Sequence, residues 1–246
     1  MSEDVKPRRR YNATRRQAQA AQTRQDILTA AHQLFLERGY AGTTLAAIAT
    51  AAGVVVETIY RAYGSKAELF KAVVRAAVAG GAARAQVPPD QRPAIQAVIA
   101  ETDPHRQLAL YAATQPGIHA RAGPLLRVLV GAAAADPDLA QVWTQLEDER
   151  LAGMGRFAQL LADRGVLRAD LSVQEARDLL WTLNSLAVHD LLVLRRGWSP
   201  ERYRDWLAGA LARELLPDRQ PPNRPPPPPR PQRPGQRERS RRSDST

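Results

Sequence analysis

The sequence predicts an all-α protein, and two observations lead to that prediction. Apolar residues recur at helical spacing between residues 23 and 216, whereas alternating strand patterns and Asn-Gly hairpin turns do not occur. Helix starts also recur: Asp103-Pro104 and Asp136-Pro137 each place a capping acid before a first-turn proline, and Ser172-Val173-Gln174-Glu175 is a capping box. These signals predict a body of about six helices, over residues 93–102, 104–122, 124–135, 137–164, 173–195 and 200–216.

The first helix is predicted to begin at Thr23, which precedes Asp26 by three residues as in an N-terminal cap. It is expected to end at Gly39, because glycine adopts the backbone conformation that closes a helix. Between these limits, one apolar stripe faces the core, made of Ile27, Leu28, Ala31, Leu34 and Phe35.

Residues 44–66 predict two short helices joined by a tight turn at Gly53. Thr44 is placed to cap the first helix, whose apolar face is Leu45, Ile48, Ala49 and Ala52. The second helix has Ile59 and Tyr63 on its buried side. This is the helix-turn-helix pattern, whose second helix lies in a DNA major groove. By periodicity alone, an ordinary pair of packed helices fits equally well.

Residues 23–70 resemble the DNA-binding domain of TetR-family transcriptional repressors. The resemblance rests on Ile27-Leu28-x-Ala30-Ala31-x-x-Leu34-Phe35-x-x-x-Gly39-Tyr40, on Thr43-Thr44-Leu45-x-x-Ile48-Ala49-x-x-Ala52-Gly53-Val54, and on Thr58-Ile59-Tyr60-x-x-Tyr63-Gly64-Ser65-Lys66-x-Glu68-Leu69-Phe70. So many positions in a fixed register are more specific than any single short motif. Beyond residue 70 the resemblance is limited to the helical layout and to Arg196-Gly197-Trp198-Ser199-Pro200 before the last helix.

The resemblance implies that Thr44 and Tyr60 contact DNA phosphates. The sequence departs from the family at Val55, where a serine is usual, and at Ala62, where a larger residue is common. Side-chain chemistry suggests further contacts with the bases. Val55 and Val56 could make apolar contacts with thymine methyl groups, and Arg61 could donate hydrogen bonds to guanine. Glu57 could accept a hydrogen bond from cytosine, or it could point away from the phosphates. The remaining candidates for this DNA-binding surface are Thr58 and Lys66, the latter beside the capping box Ser65-Lys66-Ala67-Glu68.

Charge is concentrated at the two ends of the chain. Of the net +10, residues 1–24 hold seven Lys/Arg against two acids, and residues 217–246 hold eight against three. We expect residues 1–22 to be a basic flexible arm whose Arg15 and Arg16 contact DNA, or a solvated tail. Residues 217–246 contain ten of the nineteen prolines and predict a disordered tail that binds DNA non-specifically, docks a partner or has no function.

The domain organisation expected from these boundaries is an arm at 1–22, a DNA-binding domain at 23–86, an effector-binding and dimerisation domain at 87–216, and a tail at 217–246. The resemblance implies a small-molecule pocket in the body. Its candidate residues are Leu108, Tyr111, Trp143, Met154, Phe157 and Trp181. For each of them, the alternative is an ordinary place in the hydrophobic core. The last two helices carry an apolar surplus and predict a homodimer interface.

Catalysis and metal binding find no support in the sequence. There is no cysteine, no glycine-rich phosphate loop and no nucleophile elbow. The four histidines are scattered, and the adjacent side chains of His189 and Asp190 are expected to diverge on a helix. We therefore expect a protein without enzymatic activity, metal or cofactor. The absence of a signal sequence and of a long apolar segment predicts a cytoplasmic protein without a membrane partner.

These observations predict a homodimeric transcriptional regulator, most simply a repressor that an unknown small-molecule effector releases from a palindromic double-stranded operator. The alternative is a helical ligand-binding or scaffolding protein whose helix-turn-helix binds DNA only non-specifically. Val55, Val56 and Glu57 at the start of the recognition helix motivate this alternative.

Overall fold

The computed structural model describes residues 7–218, with side chains from residue 16 onward. Every regular element in this part of the chain is helical, which confirms the predicted all-α class. The helices are α1 Pro7–Arg38, α2 Leu45–Ala52, α3 Val56–Tyr63, α4 Lys66–Ala79, α5 Ala82–Ala85, α6 Pro93–Ala100, α7 Pro104–Ala133, α8 Pro137–Asp163, α9 Val173–Leu183, α10 Leu186–His189 and α11 Pro200–Leu215. A 3₁₀ turn, Pro89–Gln91, precedes α6, and a π-helical segment, Asp190–Arg195, extends α10.

The first helix begins at Pro7, so the helix start predicted at Thr23 was wrong, and the predicted arm is helical from Pro7 onward. Proline suits a first helical turn, and the segment that follows contains no further Pro or Gly before Gly39. Its alanines, glutamines and arginines are good helix formers, so the helix continues although residues 16–22 are exposed. Residues 1–6 of the predicted arm lie outside the described residues.

The turn of the helix-turn-helix is held by caps. Thr44 caps α2 as predicted, because its hydroxyl accepts from the Ala47 amide at 3.1 Å. Gly53 ends α2 with φ +66°, a conformation that costs glycine least. The neighbouring Thr43 is buried and donates its hydroxyl to the carbonyl of Leu34 at 3.0 Å, which fixes the α1–α2 connection.

The capping box predicted at α4 is incomplete. Ser65 accepts from the Glu68 amide at 3.1 Å, but the Glu68 carboxylate pairs with Lys71 at 2.6 Å. A buried ammonium one turn along the helix is a stronger partner for a carboxylate than a neutral backbone amide. In contrast, the box at Ser172 and Glu175 is present in both directions, as predicted.

The apolar residues form two cores. The first joins α1–α5 to one end of α7 and the start of α8, through Ala122, Leu125, Leu129, Leu139 and Val142. The second joins α6–α9 and α11. The first core therefore extends across the predicted domain boundary at residue 86, and helices α1 and α4 pack directly on α7.

Two predicted helix boundaries in the body were wrong. The structure has one helix, α7, where two were predicted, and it runs through Pro116 and Pro124. Residues on both sides of Pro124 are fully buried, notably Ala122 and Leu125. This packing favours a continuous helix despite the missing backbone donor. The predicted helix 173–195 is interrupted at Asn184, where Ser185 caps α10 by accepting from the Val188 amide.

The predicted tail, residues 217–246, lies outside the described residues except for its first two positions. Within residues 7–218, no single helix is long and apolar enough to cross a membrane; α2 and α3 meet the criteria of length and composition only as a pair bent by 107°.

Candidate DNA-binding surface and buried polar cluster

One face of α3 is available for contact outside the protein. Ile59 is fully buried, and Val56 and Tyr63 pack half-buried against the first core on the same side. Glu57 and Arg61, one turn apart, lie on the opposite, exposed face. Tyr60 lies beside them with an exposed fraction of 55%. This exposed face can offer a carboxylate, a guanidinium and a phenol to the edges and phosphates of a duplex.

The three valines before α3 have different environments. Val54 and Val56 pack against the first core, whereas Val55 is 64% exposed and is the N-cap residue of α3. It makes no side-chain capping hydrogen bond, as expected from the absence of a hydroxyl. Val56 is half-buried against the first core, so less of its side chain is available for the predicted base contact than in Val55.

Two predicted DNA contacts lie before and after the recognition helix in the chain, Thr44 at α2 and Lys66 at α4. Thr44 is exposed at the N-terminus of α2, and its hydroxyl proton remains available while its oxygen accepts from Ala47. Lys66 opens α4, and its Nζ lies 4.1 Å from the centre of the Tyr40 ring. Partial burial lowers the pKa of Lys66, whereas Asp136 opposes this change. The aromatic contact orients the ammonium group near a helix N-terminus.

The remaining predicted DNA contacts are Thr58 on α3 and Arg15 and Arg16 on α1. Thr58 is half-buried on α3, between the exposed face and the core. Arg16 is exposed on the N-terminal extension of α1. Arg15 belongs to the same helix, but its side chain lies outside the described side chains.

Four of the six predicted pocket residues belong to the second core. Leu108, Tyr111 and Phe157 are buried, and Met154 packs against them. The rings of Tyr111 and Phe157 lie 5.0 Å apart. The Tyr111 hydroxyl contacts Met154 Sδ at 3.1 Å.

The two predicted tryptophans are placed elsewhere. Trp143 packs on the first core, so it does not join the other pocket candidates. Trp181 is half-buried, with the Arg150 guanidinium 4.7 Å from its ring centre. The Trp181 Nε1 atom is buried without a hydrogen-bond partner.

A buried polar cluster adjoins the second core, and no local sequence pattern predicted it. Asn184 donates to the Tyr111 hydroxyl at 2.7 Å, while its own Oδ1 has no hydrogen-bond partner. The rings of His119 and His189 stack at 4.3 Å, and the Tyr203 hydroxyl lies 3.5 Å from His119 Nε2. Burial and then the neighbouring imidazole of His189 lower the pKa of His119 to about 4. His119 is therefore neutral near pH 7.

The polar cluster reaches the surface through Asp190. The Asp190 carboxylate lies 3.1 Å from His189 Nδ1 and accepts from Arg127 at 2.9 Å. The expectation that the His189 and Asp190 side chains diverge was therefore wrong. The two residues lie where α10 gives way to the π-helical segment, so ordinary helical spacing does not apply there.

A small cavity opens beside this cluster, between α7 and the π-helical segment. Its volume is about 180 Å³. The lining residues are Pro116, His119, Ala120, Arg127, His189, Val193, Leu194 and Pro200. Across residues 7–218, no group of three or more His, Asp or Glu side chains has an arrangement suited to a metal ion.

Comparison with known proteins identifies the N-terminal domain. Residues 27–73 match the family model of the bacterial regulatory proteins of the tetR family. The HTH-type transcriptional repressor BepR of Brucella suis and the HTH-type transcriptional regulator TtgR of Pseudomonas putida are each 45% identical over 60 residues. That segment covers 24% of this chain but only 29% of each curated relative.

The similarity in fold extends further along the chain. A putative TetR-family regulator from Rhodococcus sp. has a TM-score of 0.62 at 16% identity, covering 79% of this chain and 98% of that one. NalD, the secondary repressor of the MexAB-OprM multidrug efflux pump in Pseudomonas aeruginosa, has a TM-score of 0.61 at 24% identity, covering 81% and 98%. At these identities the likeness establishes a shared fold.

Proposed function

Because this chain carries the DNA-binding domain of the bacterial TetR-family regulators on a fold shared with them, we propose that it is a sequence-specific transcriptional regulator. In this proposal it is a homodimeric repressor that a small-molecule effector releases from a palindromic operator. The observation that carries the proposal is the exposed face of α3, presented by a helix-turn-helix whose residues match the family in register.

DNA binding is supported by the chemistry around α3. The exposed face offers Arg61 for a base edge and Tyr60 for a phosphate. Thr44 lies at the N-terminus of α2 and Lys66 at the N-terminus of α4, the helices before and after α3 in the chain. Helix N-termini favour anions, so these two residues suit phosphate contacts that complement base reading by α3.

An effector site is supported by unpaired polar atoms in the body. Asn184 Oδ1 and Trp181 Nε1 are buried without partners, and they lie three residues apart on the same helical side. Buried polar groups are nearly always hydrogen-bonded in native proteins. A ligand that offers a donor to Asn184 Oδ1 and an acceptor to Trp181 Nε1 would satisfy both atoms.

Coupling between body and DNA-binding domain is supported by contacts on α4. Lys71 donates to Gln145 of α8 at 2.8 Å, and Arg75 forms an ion pair with Glu149 of the same helix. Any ligand that changes the spacing of α7 and α8 would then move α4 and the recognition helix.

Dimer formation is supported by a smaller surface than the sequence suggested. Most of the apolar surplus in the last two helices fills the second core, where Leu180, Leu207 and Leu211 are fully buried. Leu191 and Leu194 of the π-helical segment remain 52% and 55% exposed. A two-fold contact through these leucines would pair two recognition helices, as a palindromic operator requires.

The experiment that tests this proposal is selection of bound duplexes from a random pool, with purified full-length protein at near-physiological salt. We expect an enriched palindrome whose half-sites lie about one helical turn apart, or slightly more. Arg61→Ala should relax the preference at one base pair per half-site, while Lys66→Ala should weaken all sequences alike. Binding at low salt without enrichment would refute the proposal and favour the scaffolding alternative.

A further inference from the structure

The N-terminal tip of α3 bears an apolar group that the protein itself does not use. Val55 has the largest exposed fraction, 64%, among the exposed large apolar residues in the described part of the chain. It occupies the N-cap position, where Ser, Thr, Asp or Asn would give the helix a hydrogen bond. The chain therefore gains neither burial nor capping from this side chain.

The backbone holds Val55 rigidly in that exposed position. The preceding amide of Val54 donates to the Ala49 carbonyl at 2.9 Å, and the Val55 carbonyl accepts from the Thr58 amide at 3.0 Å. Val54 and Val56 on either side pack against the first core. The isopropyl group thus projects from a fixed turn, with little conformational freedom to lose on binding.

We propose that Val55 reads the C5-methyl group of a thymine in each operator half-site, an inference that rests on the proposed function. Residues at the N-terminal end of a recognition helix are those that contact base edges. A valine has no donor or acceptor for a base or phosphate, and the thymine methyl is the apolar feature of the major groove. Contact between the two groups removes apolar surface of both from water.

The test replaces single thymines of the selected operator by deoxyuridine, which deletes the methyl group and leaves base pairing intact. Each duplex is titrated with full-length protein by fluorescence anisotropy at constant salt. At one thymine position, wild type should bind about four-fold more weakly when one half-site is changed, and about fifteen-fold more weakly when both are changed.

Variants assign that loss to Val55. Val55→Ala should bind the thymine and deoxyuridine duplexes with equal affinity at that position. Val55→Thr, which keeps the branched shape and one methyl group, should retain part of the difference. Val87→Ala is the matched control, because Val87 is another exposed valine, located after α5 and far along the chain from α3; it should behave as wild type.

The outcomes separate this inference from the proposed function. Enrichment of a palindrome with no methyl-sensitive thymine, or an equal deoxyuridine penalty in wild type and Val55→Ala, overturns the role of Val55 and leaves the regulator intact. Failure to enrich any sequence overturns both. Val55→Ala should unfold at the same temperature as wild type, because the substituted side chain is exposed. A change in its affinity for DNA then arises from the DNA-binding surface and not from the stability of the fold.

Discussion

Acidification should selectively destabilise the protein through His119. This imidazole is 6% exposed and stacks on the ring of His189, so its charged form would be poorly hydrated in the folded state. Its pKa is lowered from 6.5 to about 4 by burial and by His189, with the side chains of Asn184 and Asp190 acting in the opposite sense. The folded protein therefore binds a proton at this site less readily than the unfolded chain does.

The size of the effect follows from the difference between the folded and unfolded pKa. Because the folded pKa is depressed, the contribution of neutral His119 is complete above pH 6.5 and is lost as the pH falls toward 4. The full loss amounts to about 3 kcal/mol, of which about 2 kcal/mol is already lost at pH 5.

The assay is urea unfolding of wild type and His119→Gln between pH 7.5 and pH 4.5. Glutamine removes the titrating group, so the variant should be less stable than wild type at pH 7.5 but should lose about 2 kcal/mol less on acidification to pH 5. His32→Gln, on α1 and outside this cluster, controls for the loss of an imidazole. Parallel stability profiles for wild type and His119→Gln would refute the assignment of a depressed pKa to this residue.

Two further substitutions test the first core and the exposed leucines. Phe70→Ala removes a fully buried ring that lies 4.7 Å from Phe35, and should lower the free energy of unfolding by about 3–5 kcal/mol in a urea titration; a loss below about 1 kcal/mol would contradict the packing described. Leu191→Asp combined with Leu194→Asp should convert the proposed dimer to monomer in sedimentation velocity and weaken operator binding, whereas Leu36→Asp, at an exposed leucine of α1, should leave both unchanged. A double variant that still sediments as a dimer would place the interface elsewhere.

The sequence predicted the helix-turn-helix correctly because its determinants are local. Thr44 and Gly53 define the two ends of α2 through hydrogen bonds and a backbone angle that depend only on near neighbours. Ile59 and Ile48 are fully buried, as the 3.6-residue period required. Patterns of this kind need no knowledge of the rest of the fold.

The errors occurred where distant packing overrides local signals. In the sequence, Pro124 predicts the start of a helix, but in the structure it lies inside α7. The helix is continuous there because the neighbouring residues of α7 pack against α1, α4 and α8. The polar cluster joins Tyr111 to Asn184 and His119 to Tyr203, pairs separated by 73 and 84 residues. No local spacing relates such residues, so only the folded arrangement could reveal them.

The first core, which contains residues of both α4 and α7, limits how effector binding could change the DNA-binding surface. Leu125 and Leu129 of α7 are fully buried together with Phe70 and Val74 of α4, so sliding α4 across α7 would expose packed apolar surface. Arg121 adds a hydrogen bond of 3.0 Å from α7 to the Ala77 carbonyl near the end of α4. Displacement of α7 and α8 is therefore expected to carry α4 with it as a rigid unit, and to change the separation of the two recognition helices in a dimer without internal rearrangement of the helix-turn-helix.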